Sequence, residues 1–177
     1  MVDSFDNSIA KKIGENLRRI IVSRKLTQRE AADVVGINYR VMQKYINAEI
    51  VMRVEPFLNL VEKLDVSPSE LLPENKANKS DMLIYDEMYE QNDTSMEAIG
   101  YRLRTARMAR GLSLKTVSQM AGIALGTVRN CELAIGQISI SSLLRVAIAI
   151  EVPYIFLIGL SEKEEKHRII RYNIDIK

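Results

Sequence analysis

Leu26-Thr27-Gln28-Arg29-Glu30-Ala31-Ala32-Asp33-Val34-Val35-Gly36-Ile37-Asn38-Tyr39-Arg40-Val41-Met42-Gln43-Lys44-Tyr45 is the stretch that decides the fold. Thr27 and Glu30 stand three apart, the spacing of a capping box that starts a helix. The helix they open runs through Val35. Gly36 then supplies the positive φ that ends a helix and allows a tight turn. Asn38 is placed to cap a further helix reaching about Asn47, with Val41, Met42 and Tyr45 on one apolar face. Outward from this stretch the same period continues. Ile9, Ile13, Leu17, Ile20 and Ile21 mark the inner face of a preceding helix. Phe57, Leu58, Leu60, Val61 and Leu64 mark a fourth. Ser67-Pro68-Ser69-Glu70 places a cap, a proline at the first helical position and the box glutamate, which starts a short fifth helix. Sustained strand alternation is absent, except for a possible strand over Arg168 to Ile176.

A shift of 86 positions lays this block on a second one without a gap. Ile13-Gly14 falls on Ile99-Gly100, Leu17-Arg18 on Leu103-Arg104, Leu26-Thr27 on Leu112-Ser113, and Gly36-Ile37 on Gly122-Ile123. Val66 falls on Val152, and Leu71-Leu72 on Leu157-Ile158. The agreements sit at glycine, apolar and capping positions, where an architecture is set. The chain therefore holds two copies of one domain of about 65 residues, a size that can fold alone.

The 177 residues have an ordinary globular composition, 47% hydrophobic and 27% charged, with a formal charge of +2. A uniformly basic nucleic-acid coat is excluded; a local basic face is not. Residues 9–72 carry eleven Lys/Arg against eight Asp/Glu, and residues 95–160 seven against three. The connector 73–94 carries two against six, so two mildly basic blocks flank an acidic link. One cysteine, Cys131, excludes a disulfide framework and a cysteine zinc site, and one histidine, His167, excludes a histidine cluster. No metal site and no cofactor is expected. The first residues hold Asp3 and Asp6 rather than a secretory core, and the apolar run Val146–Leu160 is interrupted by Glu151 and Pro153. A soluble, cytoplasmic, nucleoid-associated protein with no membrane partner is the expectation. No phosphate loop or paired carboxylate cluster is present. Cys131 takes the inward slot of Tyr45, so the chain is not expected to be an enzyme.

Leu26-Thr27-Gln28, Ala31-Ala32, Gly36-Ile37, Val41-Met42 and Tyr45, followed by the fourth and fifth helices, resemble the phage-repressor and Cro-like (XRE-type) helix-turn-helix family. The likeness covers 13–72 and, more loosely, 99–158. It implies an all-α chain of two tandem five-helix, lambda-repressor-like domains. Their bounds are 9–72 and 95–160, with an acidic linker at 73–94 that is part helical and a tail at 161–177.

The third helix turns Asn38, Tyr39, Arg40, Gln43, Lys44 and Asn47 outward. Arg and Lys suit guanine acceptors in the major groove, and Gln or Asn suits adenine. The resemblance implies a sequence-specific, DNA-binding transcriptional regulator of bacterial or phage type, with double-stranded DNA as partner. By position, Tyr39, Arg40 and Lys44 face bases, with Asn38 and Gln43 close behind. Gln28, Asn47 and Arg53 then reach phosphates. In the second copy the matching outer residues are Ala124, Leu125, Gly126, Arg129, Asn130 and Leu133. Only Arg129 and Asn130 suit base recognition there. The first-helix arginines Arg102, Arg104, Arg107 and Arg110 are candidates for phosphate.

The family often pairs a helix-one arginine with a glutamate ending helix three. Arg107 and Glu132 hold those places in the second copy, and Ile21 and Ile46 in the first. The apolar run Pro153 to Gly159 and the tail, with a capping box at Ser161 and Glu164, suggest a homodimer through the second domain and the C-terminal tail; the alternative is that the two copies pack on each other as a pseudo-dimer in one chain. The alternative class is a protein-interaction or antitoxin-like module that keeps the fold with weak or no DNA binding.

Overall fold

The computed structural model describes residues 3–73 and 93–159. The connector 74–92 and the tail 160–177 lie outside the described residues. With them go the readings of a connector helix, a tail capping box, a tail strand and His167. Among the described residues there are ten α-helices and no extended strand, so the chain is all-α. They fall into two compact units, one over 3–73 and one over 93–159.

In the first unit, α1 spans Ser4–Ser23, α2 Gln28–Val35, α3 Tyr39–Ile46, α4 Val54–Lys63 and α5 Pro68–Leu71. α1 begins five residues before the expected Ile9. Asp3 caps it, its carboxylate accepting from the Phe5 N–H at 3.1 Å. Thr27 and Glu30 form the expected capping box. The Glu30 N–H donates to Thr27 Oγ1 at 3.2 Å, and the Thr27 N–H donates to Glu30 Oε2 at 2.7 Å. That second bond, the larger cause, holds the Glu30 carboxyl below its usual range. Gly36 stops α2 at φ 75°, a left-handed geometry that a Cβ resists. Asn38 caps α3 by accepting from the Arg40 N–H at 2.8 Å. Ser67 and Glu70 form a second box at α5. The core between the helices is Ile13, Leu17, Met42, Phe57, Leu60 and Leu71, all fully or nearly fully buried.

The second unit repeats these elements. Here α6 spans Met96–Ala109, α7 Leu114–Ala121, α8 Leu125–Leu133, α9 Ile140–Ala149 and α10 Tyr154–Leu157. Helices α7, α9 and α10 sit 86 residues after α2, α4 and α5 at both ends. The left-handed residues also recur at that offset. Ala48 and Ala134 share it, as do Asp65 and Glu151. Gly14 and Gly100 recur at a close helix crossing. A Cβ on Gly14 would meet the carbonyls of Ile46 and Tyr45, and one on Gly100 those of Glu132 and Cys131.

A buried polar contact recurs too. The Asn16 amide donates to the Leu71 carbonyl at 3.0 Å. Arg102, 86 residues on, donates from Nη1 to the Leu157 carbonyl at 2.9 Å. Each ties a first helix to a fifth.

The apolar run Pro153 to Gly159 contains α10. Pro153, Tyr154, Leu157, Ile158 and Gly159 are buried, and Ile155 and Phe156 are half-buried.

Candidate nucleic-acid interface

α3 presents the first unit's polar face. Its orientation follows from two local facts: Gly36 turns the chain, and Met42, Tyr45 and Ile46 bury one side of the helix. The opposite side exposes Asn38, Arg40, Lys44 and Asn47. Arg40 and Lys44, four apart, form one outward basic stripe. Asn38 also caps the helix with its side-chain oxygen.

Tyr39 and Gln43 are half-buried, and their polar atoms meet, Gln43 Nε2 donating to the Tyr39 hydroxyl at 2.9 Å. The Arg29 guanidinium lies 5.0 Å above the Tyr39 ring, within cation–π range. Arg29 is not among the residues that sequence reasoning selects. Its signal is its place one residue after Gln28 in the first turn of α2, beside the expected phosphate-facing position. Gln28 itself is half-buried at the start of α2. At the other end of α3, Arg18 Nη2 reaches Asn47 Oδ1 at 3.4 Å, and Asn47 Nδ2 donates to Glu49 at 3.2 Å. Arg53 is exposed just before α4, and its charge opposes the upward pull of burial on the Tyr45 hydroxyl. The first unit therefore gathers Arg18, Arg29, Arg40, Lys44 and Arg53 as exposed cations around α3.

The second unit differs in kind. α8 exposes Arg129 and Asn130, the two polar residues expected there, together with Leu125 and Leu133. Ala124 precedes α8 without a side-chain cap. Three of the four first-helix arginines, Arg102, Arg107 and the C-cap Arg110, already hold partners within the chain, which corrects their expected phosphate role. Arg102 is buried, and its Nη2 also donates to the Asp93 carbonyl at 2.6 Å. Arg107 makes a two-pronged bond to Glu132, its Nη2 lying 3.0 Å from Oε2, and a further bond to the Leu112 carbonyl at 2.6 Å. Arg110 pairs with Glu151 at 2.9 Å. Arg104 alone of the four is exposed.

Cys131 is buried, and desolvation, with help from the Glu132 carboxylate, pushes its thiol up to about 12. The native chain should therefore leave a disulfide thiol reagent essentially unreacted at pH 8 and consume one equivalent in denaturant. Rapid native reaction would show that this core opens readily. Among the described residues no group of three His, Cys, Asp or Glu could hold a metal ion. Nor is any described helix long and apolar enough to cross a membrane. Comparison with known proteins finds no matching family model, no matching curated protein and no matching solved structure.

Proposed function

We propose that the chain is a sequence-specific, double-stranded-DNA-binding transcriptional regulator made of two tandem helix-turn-helix domains. In this reading α2, the Gly36 turn and α3 are the reading head of the first domain. The observation that carries it is the outward, exposed pair Arg40 and Lys44 on a helix whose opposite side is locked in the core. An α-helix fits the major groove, and Arg and Lys match the guanine acceptors displayed there. Asn38 serves at the groove end of the same helix. Tyr39 and Gln43 act as a braced pair whose ring edge lies beside the bases. Gln28, at the positive end of α2, Asn47 and Arg53 take phosphates, with Arg18 and Arg29 close by.

Titration of a random-sequence duplex at two salt concentrations tests the reading. A head neutralising about four phosphates should lose on the order of a hundredfold in affinity between 50 and 200 mM salt. On a site selected from a random pool, Arg40→Ala should cost roughly 1–3 kcal/mol and relax the preference at one base position. Gln28→Ala should instead weaken all sequences alike. No detectable duplex binding by the full chain at low salt overturns the proposal.

A further inference from the structure

We infer that the outer face of α8 is a docking surface for an acidic amphipathic helix of a partner protein. The two units provide an internal comparison at one offset. Tyr39, Arg40, Gln43, Lys44 and Asn47 on α3 correspond to Leu125, Gly126, Arg129, Asn130 and Leu133 on α8. Leu125 and Leu133 are 45% and 43% exposed, and Ile135, two residues on, is 54% exposed. Leu125, Arg129 and Leu133 follow one another at four-residue spacing, so they form one stripe along the helix. Gly126 beside the stripe faces open space, since a Cβ there would touch nothing within 4 Å. Leu125, Leu133 and Ile135 leave apolar surface in water at this face, and a covering chain would remove it.

Charge selects the occupant. α7 contains no acidic residue, and the acid of α8, Glu132, is turned inward onto Arg107. Three exposed cations serve this face. Arg129 lies within the stripe. Lys115 holds the position at which Arg29 covers Tyr39 in the first unit, so it belongs to the Leu125 end. Arg104 holds the position from which Arg18 reaches Asn47, so it belongs to the Leu133 end. Pairing this face with its own copy would set these cations against each other, which disfavours a second chain as occupant. Duplex DNA would gain little from Leu125, Gly126 and Leu133, which offer no side-chain hydrogen bond to a base edge. A helix with leucines along one face and glutamates on its flanks meets both demands, apolar stripe against apolar stripe and acid against base.

The probe is a fluorescein-labelled 18-residue peptide with leucines at helical a and d spacing and glutamates elsewhere. It is titrated against the full chain by anisotropy at low salt. Saturable binding is expected, weakening at least tenfold in Leu125→Ser/Leu133→Ser and at least threefold in Arg129→Glu. The analogue with lysine in place of glutamate should bind at least tenfold more weakly. All three substituted positions are exposed, so the variants should melt with the parent chain. If the double variant does not, Arg129→Glu tests the face on its own. Several results overturn the inference. One is no binding up to millimolar chain. Others are equal affinity for all variants, or lysine-peptide binding as tight as that of the glutamate peptide. A light-scattering dimer abolished by Leu125→Ser/Leu133→Ser would assign the face to a second copy. Duplex binding abolished by the same change would assign it to DNA.

Discussion

Glu132→Ala should lower the stability of the second unit by about 3–5 kcal/mol, the usual loss when a buried pair is left with one member. The Glu132 side chain is 5% exposed and that of Arg107 13%, so little water reaches either. Glu132 provides both oxygens to Arg107, and this contact, the larger cause, raises the Arg107 pKa further. Alanine removes both acceptors and leaves a guanidinium facing the end of α8, with the Leu112 carbonyl as one remaining acceptor. Neutralising Arg107 is no escape, because arginine stays protonated in proteins.

The first unit shows another solution at the same places. Ile21 and Ile46 are 2% and 4% exposed there. Arg107→Ile/Glu132→Ile should therefore recover most of the loss and come within about 1.5 kcal/mol of the parent. Thermal melts followed by amide exchange in α6 to α9 resolve the second unit from the first. At about 4–8 °C per kcal/mol for a domain of this size, the single variant should melt more than about 10 °C lower. An unmoved transition in Glu132→Ala would remove the claim that the pair stabilises this unit, and a double variant no better than the single would show that the two isoleucines are not equivalent to the ion pair.

How much of this is legible in the sequence depends on how local each feature is. Capping boxes at Thr27 and Ser67, and the stop at Gly36, need only a few neighbouring residues, and all three stand where the spacing places them. Apolar spacing starts α1 too late because Ile9 is its first fully buried residue, although Asp3 is a ready cap. Arg102 invites grouping with Arg104, Arg107 and Arg110. Its spacing says otherwise, since it lies three residues after Ile99 and four before Ala106, both inward. A charged residue on an apolar face is improbable without the Leu157 carbonyl, 55 residues away, that receives it. Asn16 is hidden from sequence reasoning for the same reason. The pairing of Arg29 with Tyr39 needs the crossing of α2 over α3, which no spacing within one helix encodes. Arg40 and Lys44 are legible because the turn before them fixes which side of α3 is buried.

Gly14→Val should cost at least about 3 kcal/mol, although valine is the better helix former. Glycine in a helix interior is about 1 kcal/mol less favourable than alanine, so propensity alone predicts a gain. Packing opposes it. A Cβ at Gly14 would lie 2.5 Å from the Ile46 oxygen and 2.7 Å from the Tyr45 oxygen. Both are backbone atoms at the end of α3 and have no rotamer to escape into. α1 and α3 must separate, and overpacking of this kind costs about 1–3 kcal/mol even where side chains can yield. Gly126→Ala is the matched control, since nothing lies within 4 Å of its Cβ. It should stabilise the second unit by up to about 1 kcal/mol. The same exchange of glycine for a larger residue thus has opposite signs at two helical positions, and space decides which.

The displaced end of α3 also carries Lys44 and Asn47. Under the DNA-binding reading, the milder Gly14→Ala should therefore weaken the selected site while leaving the salt slope unchanged, because no phosphate-facing cation is removed. Should Gly14→Ala raise the melting temperature as Gly126→Ala does, the close crossing of α1 and α3 would have to be looser than these distances require.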